Sequence, residues 1–173
     1  MKNKINNTSK IWDTYYASYD NKNIWTGNQY PNEALVRFVS NLRKNNNKLD
    51  YFKDEGSGFS IKNNFSGKAL EIGFGGLANL IMLKNKGFDC TGVEVSKNAV
   101  IKTTKYLKKK NLTKIKTNHV VDLTKMPFKD DSFNLIVGLQ SIYYNLDLDN
   151  VIKEIKRILA PNGKFIFSFF SNN

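Results

Sequence analysis

The stretch Glu71-Ile-Gly-Phe-Gly-Gly-Leu-Ala78 follows a short apolar approach, Lys68-Ala-Leu70, and opens into a helical pattern from Leu77 to Lys86. A strand, a tight glycine turn and a helix stand in sequence, the order of a nucleotide cradle. Without Cβ atoms, Gly73 and Gly75 let the backbone turn sharply and approach a ligand closely. The free N–H groups where the helix starts favour polar or anionic ligand atoms. Gly73, Gly75 and Ala78 also satisfy the dinucleotide spacing GxGxxG/A, so the turn by itself does not choose a ligand.

Outward from this turn, strands and helices alternate. Strand Ala69 to Ile72 leads into helix Leu77 to Lys86, stopped by Gly87; strand Asp89 to Val95 leads through Ser96, an N-cap residue, into helix Lys97 to Lys110. A third strand, Ile115 to Val121, reaches Asp122, and a loop carrying Pro127 precedes Phe133 to Leu139, a continuous apolar run of the kind a central parallel strand needs. Helix Leu148 to Leu159 is expected to stop at Pro161-Asn-Gly163 before a strand Lys164 to Phe170. The series predicts an α/β fold, a Rossmann-like doubly wound and mostly parallel sheet with helices on both faces. Upstream, the aromatic segment Ile11 to Asp20 with Trp25 reads as a short helix and loop. Pro31-Asn-Glu opens an amphipathic helix through Leu35, Val36, Phe38, Val39 and Leu42 that Asn45-Asn-Asn47 ends, and Leu49 to Ser66 reads as a connector with at most a short hairpin.

At 173 residues and 40% hydrophobic content the chain can bury one core, and no apolar run reaches the length of a membrane span. No secretory leader pattern stands at Met1, so a soluble, cytoplasmic protein is expected. Cys90 is alone and His119 is the single histidine, which excludes an internal disulfide framework and argues against a metal site. Cys90 reads as a small buried strand residue and His119 as a core or edge residue. The net charge is +12, but the basic residues are 24 Lys against 3 Arg, beside many Asn and Ile. That pattern reads as compositional bias, and scarce arginine argues against a nucleic-acid partner.

In such sheets a ligand lies beyond the carboxyl ends of the strands, where three acids fall. Glu94 ends the second strand 23 residues after Glu71, at the distance where a carboxylate can accept both hydroxyls of a ribose. Asp122 ends the third and could accept from an adenine amino group, with the Leu123 N–H reaching a ring nitrogen. Glu71 enters the glycine turn itself, where a carboxylate suits a cationic group better than a pyrophosphate.

Together these residues resemble the class I S-adenosylmethionine-dependent methyltransferases of small-molecule type. Leu70-Glu-Ile-Gly-Phe-Gly75 resembles the first motif of that family, Gly92-Val-Glu-Val-Ser96 the second, and Asp122 to Val137 the third and fourth; Glu154 to Phe165 resembles its helix, turn and fifth strand. The resemblance implies S-adenosyl-L-methionine as cofactor, held by Glu71, Gly73, Phe74, Gly75, Glu94, Val95, Asp122, Leu123 and Gln140, with Gln140 near the sulfonium end. It implies in-line methyl transfer to a small-molecule acceptor with no covalent enzyme intermediate and no metal, and it leaves the catalytic residues unassigned. Residues 1–66 would form an aromatic lid and connector, with Trp12, Tyr15, Tyr16, Tyr19 and Trp25 over the site, and residues 67–173 the cofactor-binding core. Tyr143 and Tyr144 could touch the acceptor.

The sequence departs from the family pattern at Leu77, where a third glycine is usual, and at Asn162, where a second glycine often follows the proline. The family sheet normally continues past the fifth strand. A fragment lacking the C-terminal strands, with Lys164 to Phe170 as an apolar edge, is therefore expected. A noncatalytic or degenerate cofactor-binding domain and a nucleotide-dependent oxidoreductase remain the alternatives.

Overall fold

A computed structural model of the chain describes residues 2–18, 30–45, 48–51, 66–145 and 147–169. The elements run α1 (Lys2–Ser18), α2 (Glu33–Ser40), β1 (Leu42–Asn45), β2 (Lys48–Tyr51), β3 (Gly67–Ile72), α3 (Ala78–Asn85), β4 (Phe88–Glu94), α4 (Lys97–Lys109), β5 (Lys116–His119), β6 (Phe133–Gly138), a 3-10 turn (Ile142–Tyr144), α5 (Leu148–Ile158) and β7 (Leu159–Phe167). The expectations for Tyr19, Trp25, Asn46, Asn47, Phe170 and residues 52–65 of the connector lie outside the described residues.

β1 and β2 form a small antiparallel pair, while the main sheet runs β5-β4-β3-β6-β7 with every neighbour parallel. The order grows one way from β3 through β4 to β5, then restarts on its other side with β6 and β7. Between β3 and β6 lies the switch point where such sheets hold ligands. Alternate residues face opposite sides. Ala69, Cys90, Leu135 and Val137 pack with Leu35 and Val39 of α2, Leu80 and Leu83 of α3 and Leu107 of α4. Leu70, Ile72, Val93 and Ile136 pack with Val151, Ile155 and Ile158 of α5. Helices thus cover both faces, as the alternation requires. Each fully buried Leu or Ile of these layers contributes about 1.5–3 kcal/mol over exposure.

Local chemistry moves several boundaries. Asn32 caps α2, its Oδ1 accepting from the N–H groups of Ala34 and Leu35 at 3.0 and 3.3 Å, so Pro31 precedes the helix instead of opening it. The helix ends at Ser40; Leu42 keeps its place in the core as the first residue of β1. α1 extends N-terminally beyond the aromatic segment, through Asn- and Lys-rich sequence of weak intrinsic preference. α5 stops at Ile158 because Leu159 already pairs with Phe133, and the pairing resumes at Leu135 with Lys164. Ala160 to Gly163 therefore loop out within β7, with Asn162 in the left-handed region at φ 62°, which asparagine tolerates in turns.

The Asp122 to Asp131 loop is fastened from α5. Glu154 accepts from the Met126 N–H at 2.6 Å and from Arg157 at 2.7 and 2.8 Å, and Arg157 donates to Asp130 and to the Phe128 carbonyl. These bonds hold the Glu154 carboxyl below its usual range, Arg157 contributing most. Cys90 is buried, and burial pushes its thiol up to about 12. No helix among the described residues is long and apolar enough to cross a membrane.

Candidate functional site

At the switch point, Ser141 Oγ donates to the carbonyl of Ile72 at 2.6 Å and so ties the end of β6 to the end of β3. Gly73 follows at φ 69°, its N–H donating to the Val93 carbonyl at 2.8 Å. A Cβ here would fall within 3.0 Å of the Ser141 Cβ, closer than real Cβ atoms come, so both conformation and space demand glycine. Gly75 is left-handed too, at φ 42°, and the Tyr16 hydroxyl stands 2.7 Å from where its Cβ would be.

Above this turn opens a cleft of about 820 Å³ including its mouth, lined by the ends of β3, β4 and β6, by the segment after β5, by the 3-10 turn and by α1. Of the residues expected at the site, Gly73, Glu94, Val95, Leu123 and Gln140 line it. Gln140 adopts φ 52°, an unusual conformation for a side-chain-bearing residue, held by its N–H donating to Ser168 Oγ at 2.9 Å.

Glu94 is the buried acid of the wall. Its Oε1 accepts from the N–H groups of Val95 at 2.8 Å and Ser96 at 3.3 Å, and its Oε2 from Gly75 at 3.2 Å. Burial raises its pKa and these N–H bonds pull the other way, Gly75 foremost. Of the roughly four acceptor directions of a carboxylate three are taken, so capacity for a hydroxyl donor remains on Oε2. The carboxylate also joins the glycine turn after β3 to the turn after β4.

Glu71, Phe74, Gly75 and Asp122 do not line the cleft. Phe74 is 3% exposed and packs into the core with Leu80. Leu77, where the family pattern has glycine, is likewise buried in that core beneath the turn. Glu71 lies behind the turn, its Oε1 accepting from Asn79 Nδ2 at 2.7 Å, while Asn79 Oδ1 accepts from the Asn32 N–H at 2.8 Å. Burial, with Glu94 nearby, pushes the Glu71 carboxyl up to about 8, and its Oε2 is buried with no hydrogen-bond partner among the described residues. Asp122 Oδ1 accepts from both the N–H and the hydroxyl of Thr124, at 2.9 and 2.6 Å, shaping its own turn. His119 ends β5 at the sheet edge, exposed, with Nε2 3.0 Å from the Val95 carbonyl.

α1 supplies a wall the sequence only hinted at. Thr8, Trp12 and Tyr16 line the cleft beside Tyr144 and Asn145. Asp13 fixes the helix in place: its Oδ1 accepts from Ser96 Oγ at 2.9 Å and the Asn98 N–H at 2.8 Å, its Oδ2 from Asn98 Nδ2 at 3.0 Å. The Asn98 N–H, above all, holds the Asp13 carboxyl below its usual value. Lys102 donates to the Tyr16 carbonyl and Ser9 Oγ to the Val95 carbonyl at 3.1 Å. Sequence reasoning did not single out Asp13, Asn79 or Ser141, whose partners are distant in the chain; the one local signal is Ser141, a small polar residue directly after Gln140.

Comparison with known proteins agrees with this architecture. The family described as Methyltransferase domain matches residues 70–167. Sterol 4-C-methyltransferase strm-1 of Caenorhabditis elegans is 36% identical over 98 residues, covering 56% of this chain and 29% of the relative. Sterol 24-C-methyltransferase ERG6B of Gibberella zeae is 32% identical over 100 residues, covering 57% of this chain and 26% of the relative. A solved structure from Methanococcus maripaludis, assigned to the S-adenosyl-L-methionine-dependent methyltransferases, superposes with a TM-score of 0.55 at 26% identity, over 59% of this chain and 47% of that one. The chain spans less than a third of the length of these curated relatives. Sheet order, glycine turn and sequence match converge: the chain belongs to the methyltransferase-domain family of S-adenosylmethionine-dependent enzymes.

Proposed function

We propose that this chain binds S-adenosylmethionine in the switch-point cleft and directs its methyl group to a small-molecule acceptor by in-line displacement. The observation that carries the reading is Glu94: a buried carboxylate, braced by three backbone N–H groups, at the wall of a cleft whose floor is a glycine turn. The pieces suit the cofactor. Gly73 turns the backbone sharply at the cleft floor, Glu94 offers acceptor capacity to a ribose, and Val121 and Leu123 offer an apolar seat to a purine. Asp122 keeps one carboxylate oxygen for an amino group while the other shapes the turn. Glu71 and Phe74 support the turn from behind, and Val95 and Gln140 border the two ends of the cleft. In this reading residues 1–66 serve as a lid and connector for the core of residues 67–173.

When bound, the cofactor supplies an electrophilic methyl group on a sulfonium. The Gly73 turn and Glu94 would hold it so that an acceptor's lone pair would bond to that carbon, the electron pair of the broken carbon–sulfur bond being left on sulfur. The rings of Trp12, Tyr16 and Tyr144 favour a nearby cation and keep water out. Burial, then the Tyr144 neighbour, pushes the Tyr143 phenol up to about 12, so it stays protonated at neutral pH and is no general base. Acceleration then comes mainly from holding nucleophile and methyl in line.

Calorimetric titration with S-adenosylhomocysteine and with NAD tests the reading. S-adenosylhomocysteine should bind, and Glu94→Gln, which sets an amide against the Gly75 N–H, should weaken it about ten-fold. Preference for NAD, or unchanged affinity in the variant, sinks the assignment. The relatives named as sterol methyltransferases support a small-molecule acceptor.

A further inference from the structure

α1 carries two stripes of different use. Thr8, Trp12 and Tyr16 line the cleft, while Ser9 and Asp13, one helical turn apart on the adjoining face, grip the turn that follows β4. The acid at the start of that turn is Glu94. Its Oε1 accepts from two peptide N–H groups, Val95 at 2.8 Å and Ser96 at 3.3 Å, and α1 holds each of these two residues from its other side. The Val95 carbonyl accepts from Ser9 Oγ at 3.1 Å, with His119 Nε2 3.0 Å from the same oxygen. Ser96 is fully buried; its hydroxyl accepts from the Ala99 N–H at 3.1 Å and gives its single proton to Asp13 Oδ1 at 2.9 Å. Asp13 Oδ1 also accepts the Asn98 N–H at 2.8 Å, one step further along.

A carboxylate that is to meet a pair of hydroxyls must keep its direction, and peptide donors fix it only as well as they are fixed themselves. Val95 and Ser96 lie past Glu94, the last paired residue of β4, so the sheet ladder does not orient them. Side chains of α1 do. We infer that Asp13 and Ser9 are positioning residues for the cofactor's ribose: they line no part of the cleft, yet they hold the Val95 and Ser96 peptides that aim Glu94 at the diol. α1 is then part of the cofactor site as well as a cover over it. This rests on the methyltransferase reading and adds to it a second set of residues on which cofactor recognition depends.

Preference for the diol is the measure. The full chain is titrated calorimetrically with S-adenosylhomocysteine and with its 2′,3′-dideoxyribose analogue, which differ only in the hydroxyls meant for Glu94. The parent chain should prefer S-adenosylhomocysteine about ten-fold. Asp13→Ala should reduce that preference to about two-fold, and Ser9→Ala, which leaves His119 beside the Val95 carbonyl, to about three-fold. Asp13→Asn keeps an acceptor oxygen for Ser96 and should restore part of what Asp13→Ala loses. A loosened α1 wall would weaken both ligands alike and keep their ratio, so an unaltered preference in either alanine variant overturns the inference. Should Asp13→Ala fail to fold, Ser9→Ala alone decides. Absent binding of S-adenosylhomocysteine removes the methyltransferase reading, and equal binding of the two ligands by the parent chain removes Glu94 as the diol's partner; the inference falls with either. A normal preference that the variants leave in place removes the inference alone.

Discussion

Replacing Gly73 by Ala should damage the fold through two separable effects. At φ 69° an L-residue occupies left-handed backbone at a cost of about 1–2 kcal/mol. The new methyl would also overlap the Ser141 side chain, within 3.0 Å of its Cβ, and overpacking of this kind costs about 1–3 kcal/mol. The sum, about 2–5 kcal/mol, is a large share of the roughly 5–15 kcal/mol that stabilises a domain. Urea denaturation followed by circular dichroism measures it, and a cycle with Ser141→Gly separates the parts. Ser141→Gly alone loses the hydroxyl bond to the Ile72 carbonyl, about 1 kcal/mol, but in the Gly73→Ala background it also removes the overlap. The double variant should therefore be about 1–3 kcal/mol more stable than the two losses summed, with the left-handed strain remaining. Additivity within about 0.5 kcal/mol would refute the claim that these residues crowd each other, and an undiminished stability of Gly73→Ala would refute the backbone argument as well.

The Glu71 carboxyl, raised to about 8 by burial, is neutral in the fold at physiological pH. Its neutral form is favoured only in the native state, so its contribution is full below the ordinary value of 4.5 and is lost as pH rises toward about 8. Unfolding free energy should fall across this window in the wild type and fall less in Glu71→Gln; parallel profiles would refute the assignment. Asp13 acts with opposite sign: its carboxyl is held low, so its bonds to Ser96 and Asn98 persist at neutral pH and loosen only as pH falls through its lowered value. Asp13→Asn should weaken α1 docking by about 1 kcal/mol. Stronger acrylamide quenching of Trp12 in a Trp25→Phe background would report it, and unaltered quenching would count against the clasp.

Which parts of this structure could be read from the chain follows from how local each signal is. The run Phe133 to Val137, the cap Ser96 and the turn at Pro161-Asn-Gly163 express their geometry over a few residues, and the sheet is legible from them. Glu94 was legible for the same reason, as a strand-end acid at a fixed distance from the glycine turn. Phe74 and Asp122 show the limit of motif reading. Phe74 sits in the motif yet turns into the core, because the face opposite the cleft must be filled, and Asp122 spends an oxygen on Thr124. The end of α2 was misplaced because Leu42 keeps the helix's hydrophobic rhythm while belonging to a strand. Asp13 and Ser141 depend on partners 83 and 69 residues away, and beyond the position of Ser141 after Gln140 nothing in their own neighbourhood announces them.

The cleft is built of two materials. Its floor, the Gly73 to Gly75 turn with Glu94, is a lattice of main-chain donors; its outer wall, α1 with the 3-10 turn, is made of side chains, α1 being held to α4 by Asp13 and Lys102 and to Val95 by Ser9. Substitution in the floor strikes the fold itself, whereas Thr8, Trp12, Tyr144 or Asn145 can be exchanged without disturbing the sheet. Under the proposed function, acceptor range can therefore drift among descendants of this chain while cofactor use stays fixed, since the two properties are written into parts that mutate independently.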